Sequence, residues 1–140
     1  MIFEIIEFRT EYFDGLLKIL KSVYETSISY DLFVEHYVGY NKKVFLAIFD
    51  DEVVGCSFVS ILEDFVRPSK KAFVEYVAVD SSFRRCGVAS SLFCSIEKYA
   101  KENSCSAIEL TSANYRIGAH SFYQAIGFAK KETTLFIKEI

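Results

Sequence analysis

The sequence contains no tryptophan, a single proline (Pro68) and only six glycines among 140 residues. With so little proline and glycine, few linkers or irregular loops are possible, so residues 1–140 are expected to form one domain. A domain of this size buries roughly two-thirds of the surface of its unfolded chain. Because 51% of the residues are hydrophobic and 14 Phe and 9 Tyr are present, the chain has ample material for a core, which excludes disorder.

An excess of positive charge is also missing, because the net charge is −3. Charge therefore gives no reason to expect nucleic acid as the main partner. No apolar run approaches the roughly 20 residues that a membrane span needs. The first ten residues, MIFEIIEFRT, are too acidic and their apolar part is too short for a secretory signal. We expect a cytoplasmic protein with no membrane partner.

Metal-binding patterns are absent as well. The two histidines, His36 and His120, are far apart, and no two cysteines form a C-x-x-C pair. We expect no metal site. Without a secretory signal the cysteines are expected to be reduced thiols, at least three of them small buried hydrophobes; the four are Cys56, Cys86, Cys94 and Cys105.

Hydrophobic periodicity predicts ten elements in the order β-α-α-β-β-β-α-β-α-β, an α/β (α+β) arrangement. The predicted strands cover residues 3–8, 44–49, 53–62, 72–79, 107–111 and 133–140. A first helix is predicted to be capped by Thr10, and further helices cover residues 30–37, about 87–102 and 116–126. Strand 72–79 (AFVEYVAV) is nearly all apolar, which is typical of a central strand covered on both faces.

The stretch RRCGVASSLF (84–93) places two arginines where the helix dipole favours negative charge. A strand that leads through a glycine-containing turn into a helix is a general anion site, because the first backbone N–H groups of the helix have no partners. Gly87 permits close approach of a ligand to the backbone. The segment contains neither G-x-x-x-x-G-K-[ST] nor G-x-G-x-x-G, so a P-loop and a Rossmann site are not expected. On this segment alone, a tight turn with two exposed arginines is an equal alternative.

Two motifs resemble the GNAT superfamily of N-acyltransferases. R-x-x-G-x-A at residues 84–89 is similar to its pyrophosphate-binding motif, and the preceding EYVAVDSSF resembles the strand before that motif. NYRIGAHSFYQAIGF (114–128) resembles its second hallmark. The resemblance covers nearly the whole chain. It implies a mixed, mostly antiparallel, twisted sheet with helices on both faces, and acetyl-coenzyme A as acyl donor.

The resemblance also implies a cofactor site, residue by residue. The backbone of Val77, Ala78 and Val79 would pair with the pantetheine arm, and Asn114 would contact it. Tyr123 would lie near the thioester sulfur. The pyrophosphate would be held by Arg84 and by the N–H groups of Arg85, Cys86, Gly87, Val88, Ala89 and Ser90.

The implied chemistry is direct attack of an amine on the thioester. The backbone N–H of Val79 or a neighbour is expected to polarise the carbonyl. Tyr123 is expected to give the leaving thiolate its proton; the alternative is an ordinary aromatic on the buried face of a helix. Cys86 is assigned no catalysis, because the family uses no cysteine there. His120 and Ser121 are adjacent to each other, but neighbours on a helix point in different directions, so they are assigned no catalysis either.

Glu75 is the candidate group to accept a proton from the amine. It is expected to share a face with Val77 and Val79 unless a bulge shifts the phase of the strand. Three roles stay open: a base acting through water, a charge that attracts a cationic amine, and a strand-end acid paired with a lysine.

The predicted function is transfer of an acetyl group to an amine of a small molecule or peptide. The alternatives are a non-catalytic acyl-coenzyme A binding or regulatory module, and hydrolysis of a thioester. The aromatic Phe136 in the last predicted strand makes a homodimer possible. Candidates for the acceptor pocket are Tyr24, Tyr30, Glu63, Asp64 and Phe65.

Overall fold

The computed structural model describes residues 2–140 and contains five strands and four α-helices in that range. The strands are β1 (Glu4–Glu7), β2 (Lys42–Phe49), β3 (Glu52–Asp64), β4 (Ser69–Val79) and β5 (Ala107–Leu110). The helices are α1 (Phe13–Val23), α2 (Tyr30–Tyr37), α3 (Val88–Glu102) and α4 (Ile117–Ala125).

The strands form one sheet in the order β1-β2-β3-β4-β5. The first three pairings are antiparallel, whereas β4 and β5 run parallel over Lys71–Val74 and Ala107–Leu110. Parallel strands need a long crossover, and α3 provides it. The predicted mixed, mostly antiparallel sheet is confirmed.

Helices cover both faces of this sheet, as predicted. On one face α1 and α2 bury Leu16 and Phe33 against β3 residues such as Phe58. On the other face α3 buries Leu92 and Ile96, both fully inaccessible to solvent. Each of these aliphatic side chains gains about 1.5–3 kcal/mol from burial, so the two cores fix the sheet between the helix layers.

Local signals in the sequence set most element ends. The α2 helix has the predicted limits, and the Ser29 hydroxyl accepts a hydrogen bond from the N–H of Leu32 (3.3 Å) as its cap. Thr10 does not cap α1, because a 3₁₀ turn over Thr10–Tyr12 comes first. Its hydroxyl lies 3.0 Å from the Tyr30 hydroxyl instead. That prediction was wrong because a distant residue competes for the hydroxyl.

The last predicted strand, 133–140, does not form. The described residues after α4 contain no regular element, and Leu135, Phe136 and Ile137 are 81–88% exposed. The alternation TTLFIKEI is typical of a strand, but a strand also needs a neighbour for its backbone N–H and C=O groups. No strand described in the same chain pairs with this segment.

The cysteines also differ from expectation. All four are free thiols, but only Cys56 is buried, while Cys94 is exposed and Cys86 and Cys105 are intermediate. The expectation of at least three buried cysteines was wrong, because three of the positions lie at helix or loop surfaces, where a small apolar side chain is tolerated. No helix among residues 2–140 combines the length and the apolar character that crossing a bilayer requires.

Gly55 sets how closely α3 approaches the sheet. A Cβ at this position would lie 2.7 Å from Cγ1 of Val88, the first residue of α3, and 3.3 Å from the carbonyl oxygen of Ala78. We expect Gly55→Ala to lower the free energy of unfolding by about 1–3 kcal/mol, because the core must expand to admit the methyl group. Thermal unfolding measures this, with Gly118→Ala, which enters open space, as the control. A Gly55→Ala protein that melts at the wild-type temperature would contradict the close contact.

Candidate active site

A β-bulge interrupts β4 near its middle. Ser57 of β3 pairs with Val77, but the next residue, Phe58, pairs with Glu75, so Tyr76 is the extra residue. Residues opposite each other in an antiparallel pair share a face. Glu75 therefore lies on the α1/α2 face with Phe58, whereas Val77 packs against the α3 core. The expectation that Glu75 shares a face with Val77 and Val79 was wrong, because the bulge shifts the phase.

Beyond the bulge, β4 loses its neighbour on one side. Its parallel pairing with β5 ends at Val74, so residues 75–79 have a strand partner only in β3. The backbone of Val77, Ala78 and Val79 thus presents a free edge in the cleft between two diverging strands. An extended ligand can pair with such an edge as an added strand. This is the geometry that the predicted pantetheine site requires.

The turn before α3 is built from unusual backbone conformations. Arg85 and Gly87 both lie in the left-handed region, with φ of 60° and 84°. Gly87 is the N-cap, and the first bond within the helix runs from the Ser91 N–H to the Gly87 carbonyl (3.0 Å). The N–H groups of Val88, Ala89 and Ser90 consequently have no helical acceptor. Left-handed turns of this kind gather N–H groups around an anion.

A groove of about 310 Å³ lies over this turn. It brings together seven of the predicted cofactor residues: Val79, Arg84, Arg85, Gly87, Val88, Ala89 and Ser90. Phe83 and Phe122 also line it, and neither was predicted in this role. Among residues 2–140, neither Arg84 nor Arg85 forms an ion pair, and no acid lies in the first turn of α3. Cys86 turns its thiol toward the Arg84 carbonyl (3.5 Å).

Aromatic rings surround the bulge on the α1/α2 face. The Tyr24 ring meets the Tyr76 ring edge-on with centroids 5.1 Å apart, and its hydroxyl donates to the Val77 carbonyl (3.4 Å). Phe58 contacts both Tyr76 (5.7 Å) and Tyr37 (5.0 Å). Of these, only Tyr24 was predicted for the acceptor pocket. The others escaped because residues distant in sequence converge there.

The pKa values of these tyrosines report their surroundings. Burial raises the pKa of Tyr37, and the charges of Tyr76 and Glu75 raise it further. Burial likewise raises the pKa of Tyr24, while the Arg116 guanidinium opposes this effect. The Glu75 carboxylate thus acts on Tyr37, and the Arg116 guanidinium acts on Tyr24.

Tyr123 lies on α4, on the other side of the cleft. Its ring packs 5.8 Å from Phe93 and 5.6 Å from Phe122, within the core under α3. Burial raises the pKa of Tyr123, with Arg116 again lowering it. The charge of Tyr123 in turn raises the pKa of Tyr24. Asn114 is exposed at the end of the segment that follows β5.

The remaining acceptor candidates lie elsewhere. Glu63, Asp64 and Phe65 line a larger groove of about 460 Å³ at the tip of the β3–β4 hairpin. Glu63 pairs with Lys70, so five residues of β4, or about 17 Å at the rise of a strand, separate it from Glu75. Tyr30 contacts Thr10 and Phe13. Only Tyr24 of the five candidates lies at the bulge.

The family model described as "Acetyltransferase (GNAT) family" matches residues 5–128. The chain belongs to this acetyltransferase family. An aminoglycoside N(6')-acetyltransferase type 1 of Salmonella typhimurium is 26% identical over 98 residues, which are 68% of each chain. The prediction of an acetyl-CoA-dependent N-acetyltransferase is confirmed by this membership and this relative.

Solved structures of the acetyltransferase fold superimpose along the whole chain. A transcriptional regulator from Bacillus halodurans C-125 is 25% identical with a TM-score of 0.87, covering 99% of this chain and 100% of that one. AAC(6')-Iy in complex with a bisubstrate analogue, CoA-S-monomethyl-acetylneamine, is 20% identical with a TM-score of 0.88, covering 100% and 99%. They show that this chain has the fold of these structures.

The acetyltransferase site fits acyl-coenzyme A. The free edge of β4 suits the amide groups of a pantetheine arm, and the left-handed turn at Gly87 suits a pyrophosphate. Two unpaired arginines over the groove supply the opposite charge. A Cβ on Gly87 would meet nothing of the protein within 4 Å and would enter this open space. Within residues 2–140, no three His, Cys, Asp or Glu side chains lie close enough to hold a metal ion.

Proposed function

We propose that this enzyme transfers the acetyl group of acetyl-coenzyme A to the amine of a small molecule by direct attack. The observation that carries the proposal is the convergence, at one bulge of β4, of a free strand edge, the Glu75 carboxylate and the ring of Tyr24, the residue after α1. Acetyl-coenzyme A supplies the acetyl group as a thioester. Every other contribution comes from the side chains and backbone of the chain.

Each part of the site has a distinct task in this proposal. The backbone of Val77, Ala78 and Val79 orients the donor, and the N–H groups of Arg85 to Ser90 hold its pyrophosphate beside Arg84. Asn114 contacts the pantetheine. A backbone N–H near Val79 stabilises the negative charge on the carbonyl oxygen. The Tyr123 hydroxyl holds the proton that the leaving thiolate accepts.

The acceptor pocket, in this proposal, takes an amine with a single positive charge and an apolar or aromatic body. Tyr24, Tyr37 and Tyr76, packed around the buried Phe58, supply faces for cation–π and apolar contacts. One carboxylate, Glu75, acts on the cluster from one end. The Arg116 guanidinium near Tyr24 and Tyr123 opposes a second positive charge. This charge pattern favours a monoamine over a polycation such as an aminoglycoside, the acceptor named for the Salmonella relative.

The experiment is thiol release from acetyl-coenzyme A with a panel of amines. Arylalkyl monoamines, aliphatic polyamines, aminoglycosides and peptides with a free N-terminus form its four arms. We expect turnover with the first arm, with the acetylated amine identified by mass. Thiol release without any amine would indicate hydrolysis, and tight binding of coenzyme A without turnover in any arm would support the binding module.

Glu75 is expected to act on the acceptor amine. We predict that Glu75→Gln lowers kcat/KM about 10- to 100-fold, because the amide neither attracts an ammonium group nor accepts its proton. A rise in KM alone identifies attraction, whereas a fall in kcat identifies a base. Glu63→Gln, which removes an acid from the distant hairpin groove, is the control. Unchanged kcat/KM for Glu75→Gln would remove this residue from the site.

A further inference from the structure

Tyr24 is the residue through which the end of α1 reaches the free edge of β4. It follows the last residue of α1, and its N–H donates to the Leu20 carbonyl (2.7 Å), which fixes its backbone at the helix end. The Tyr24 ring meets the ring of Tyr76, the extra residue of the bulge. The Tyr24 hydroxyl donates to the carbonyl of Val77, 53 residues further along the chain. One side chain therefore contacts both the bulge and the strand edge beyond it.

The register of β4 on β3 sets which backbone groups point to the free edge. The Asp80 N–H donates to the Val54 carbonyl (2.8 Å), so the backbone groups of Asp80 point toward β3. In an antiparallel ladder, hydrogen-bonded and non-hydrogen-bonded residues alternate along the strand. The backbone groups of Ala78 therefore also point toward β3, whereas those of Val77 and Val79 point away from it. The Val77 carbonyl is thus an edge carbonyl that the β3–β4 ladder does not use.

Little else fixes the direction of this carbonyl. Val77 comes directly after the bulge, where the ladder is interrupted. On the other side, the pairing of β4 with β5 ends at Val74, so no strand lies beside it. Among the described residues 2–140, the Tyr24 hydroxyl is the only side-chain group with a hydrogen bond to the Val77 carbonyl. The shape of the edge at this point consequently depends on one phenol.

We propose that Tyr24 is a positioning residue for acyl-coenzyme A, whose hydroxyl holds the Val77 carbonyl in the direction that an amide N–H of the pantetheine arm needs. This role rests on the proposed function, which assigns the edge to that arm. A carbonyl oxygen has two lone pairs. Because Tyr24 approaches from the α1/α2 face, a second donor can still bind in the plane of the sheet. An edge that is fixed before binding leaves less to be ordered when the ligand arrives.

The surroundings of Tyr24 suit a hydrogen-bond donor. Burial raises the pKa of Tyr24 above the ordinary tyrosine value of about 10, and the opposing effect of the Arg116 guanidinium is smaller. The hydroxyl therefore keeps its proton throughout the neutral range. Phenylalanine at this position would keep the ring contact with Tyr76 and remove the donor alone.

The test compares coenzyme A with adenosine 3′,5′-bisphosphate, the part of coenzyme A that lacks the pantetheine arm. We expect Tyr24→Phe to weaken coenzyme A binding about 3- to 10-fold in calorimetry, as for the loss of one hydrogen bond. The affinity for adenosine 3′,5′-bisphosphate, followed through the NMR signals of residues 85–91, should stay the same, because this part needs no strand edge. In the ligand-free variant, the ¹³C resonance of the Val77 carbonyl should move upfield as its hydrogen bond is lost.

Tyr30→Phe is the matched control. It also removes a tyrosine hydroxyl with a hydrogen-bond partner, the Thr10 hydroxyl (3.0 Å), from the same layer of helices, and it should leave both affinities unchanged. A Tyr24→Phe protein that binds coenzyme A as tightly as the wild type or more tightly, equal losses for both ligands, or an unmoved Val77 resonance would each overturn the positioning role. A wild-type chain that binds no coenzyme A would overturn the proposed function together with it.

Discussion

Gly87→Val is expected to weaken coenzyme A binding by about 100-fold or more. At φ of 84° a β-branched residue is strained by about 1–3 kcal/mol, because the left-handed conformation favours glycine. The new side chain also enters the open groove over the turn. There it would occupy the space of a pyrophosphate and hold it away from the N–H groups of Val88 to Ser90. A tenfold change corresponds to about 1.4 kcal/mol, so the obstruction of the groove must cost about 3 kcal/mol of binding free energy, while the strain lowers stability.

Titration calorimetry with coenzyme A measures this effect, and two variants interpret it. Gly39→Val carries a comparable strain, since Gly39 has φ of 146° and open space around it, but it lies far from α3. It should lower stability without changing affinity. Arg84→Ala should weaken binding only about 3- to 10-fold, as expected for the loss of one exposed charge. If Arg84→Ala has the larger effect, the arginine rather than the backbone is the main anchor.

The turn before α3 could be predicted from the sequence as an anion site, because the residues that form it are neighbours in the chain. Gly87, two arginines and a following helix lie within ten residues, and the peptide geometry that they impose needs no distant partner. The ends of α2 and the β2–β3 hairpin were predictable for the same reason. Asp50 and Asp51 adopt the positive φ angles that a two-residue hairpin turn requires.

The bulge at Tyr76 could not be predicted in the same way. AFVEYVAV is apolar on nearly every position, so its sequence has no alternation that a phase shift would disturb. The shift appears only when β3 sets the register. For the same reason the sequence could not show that Tyr76 meets Tyr24 or that Tyr37 meets Phe58, because these contacts depend on how α1 and α2 pack on the sheet.

The strand predicted over residues 133–140 failed for a different reason. Its alternating residues predict a strand correctly as a local preference, but a strand forms only where a neighbour accepts its hydrogen bonds. The sequence contains the preference and no information about the neighbour. Thr10 failed similarly as a cap, because the Tyr30 hydroxyl engages it from 20 residues away.

Tyr123→Phe is expected to lower kcat about 100- to 1,000-fold with little change in KM. The variant keeps the ring and its packing against Phe93 and Phe122 but loses the proton that a leaving thiolate needs. Tyr99→Phe is the matched control, since Tyr99 is a buried tyrosine of the same core that contacts Phe45 and lies away from the cleft. It should retain full activity.

The pH profile gives an independent readout for the same residue. Burial raises the pKa of Tyr123 above the ordinary tyrosine value of about 10, so its protonated form persists throughout the neutral range. The wild-type rate should therefore fall only in strongly alkaline solution, where the acid loses its proton. Arg116→Met removes the charge that lowers this pKa, and it should move the alkaline fall to still higher pH. A Tyr123→Phe enzyme with the wild-type rate at every pH would show that another group protonates the thiolate.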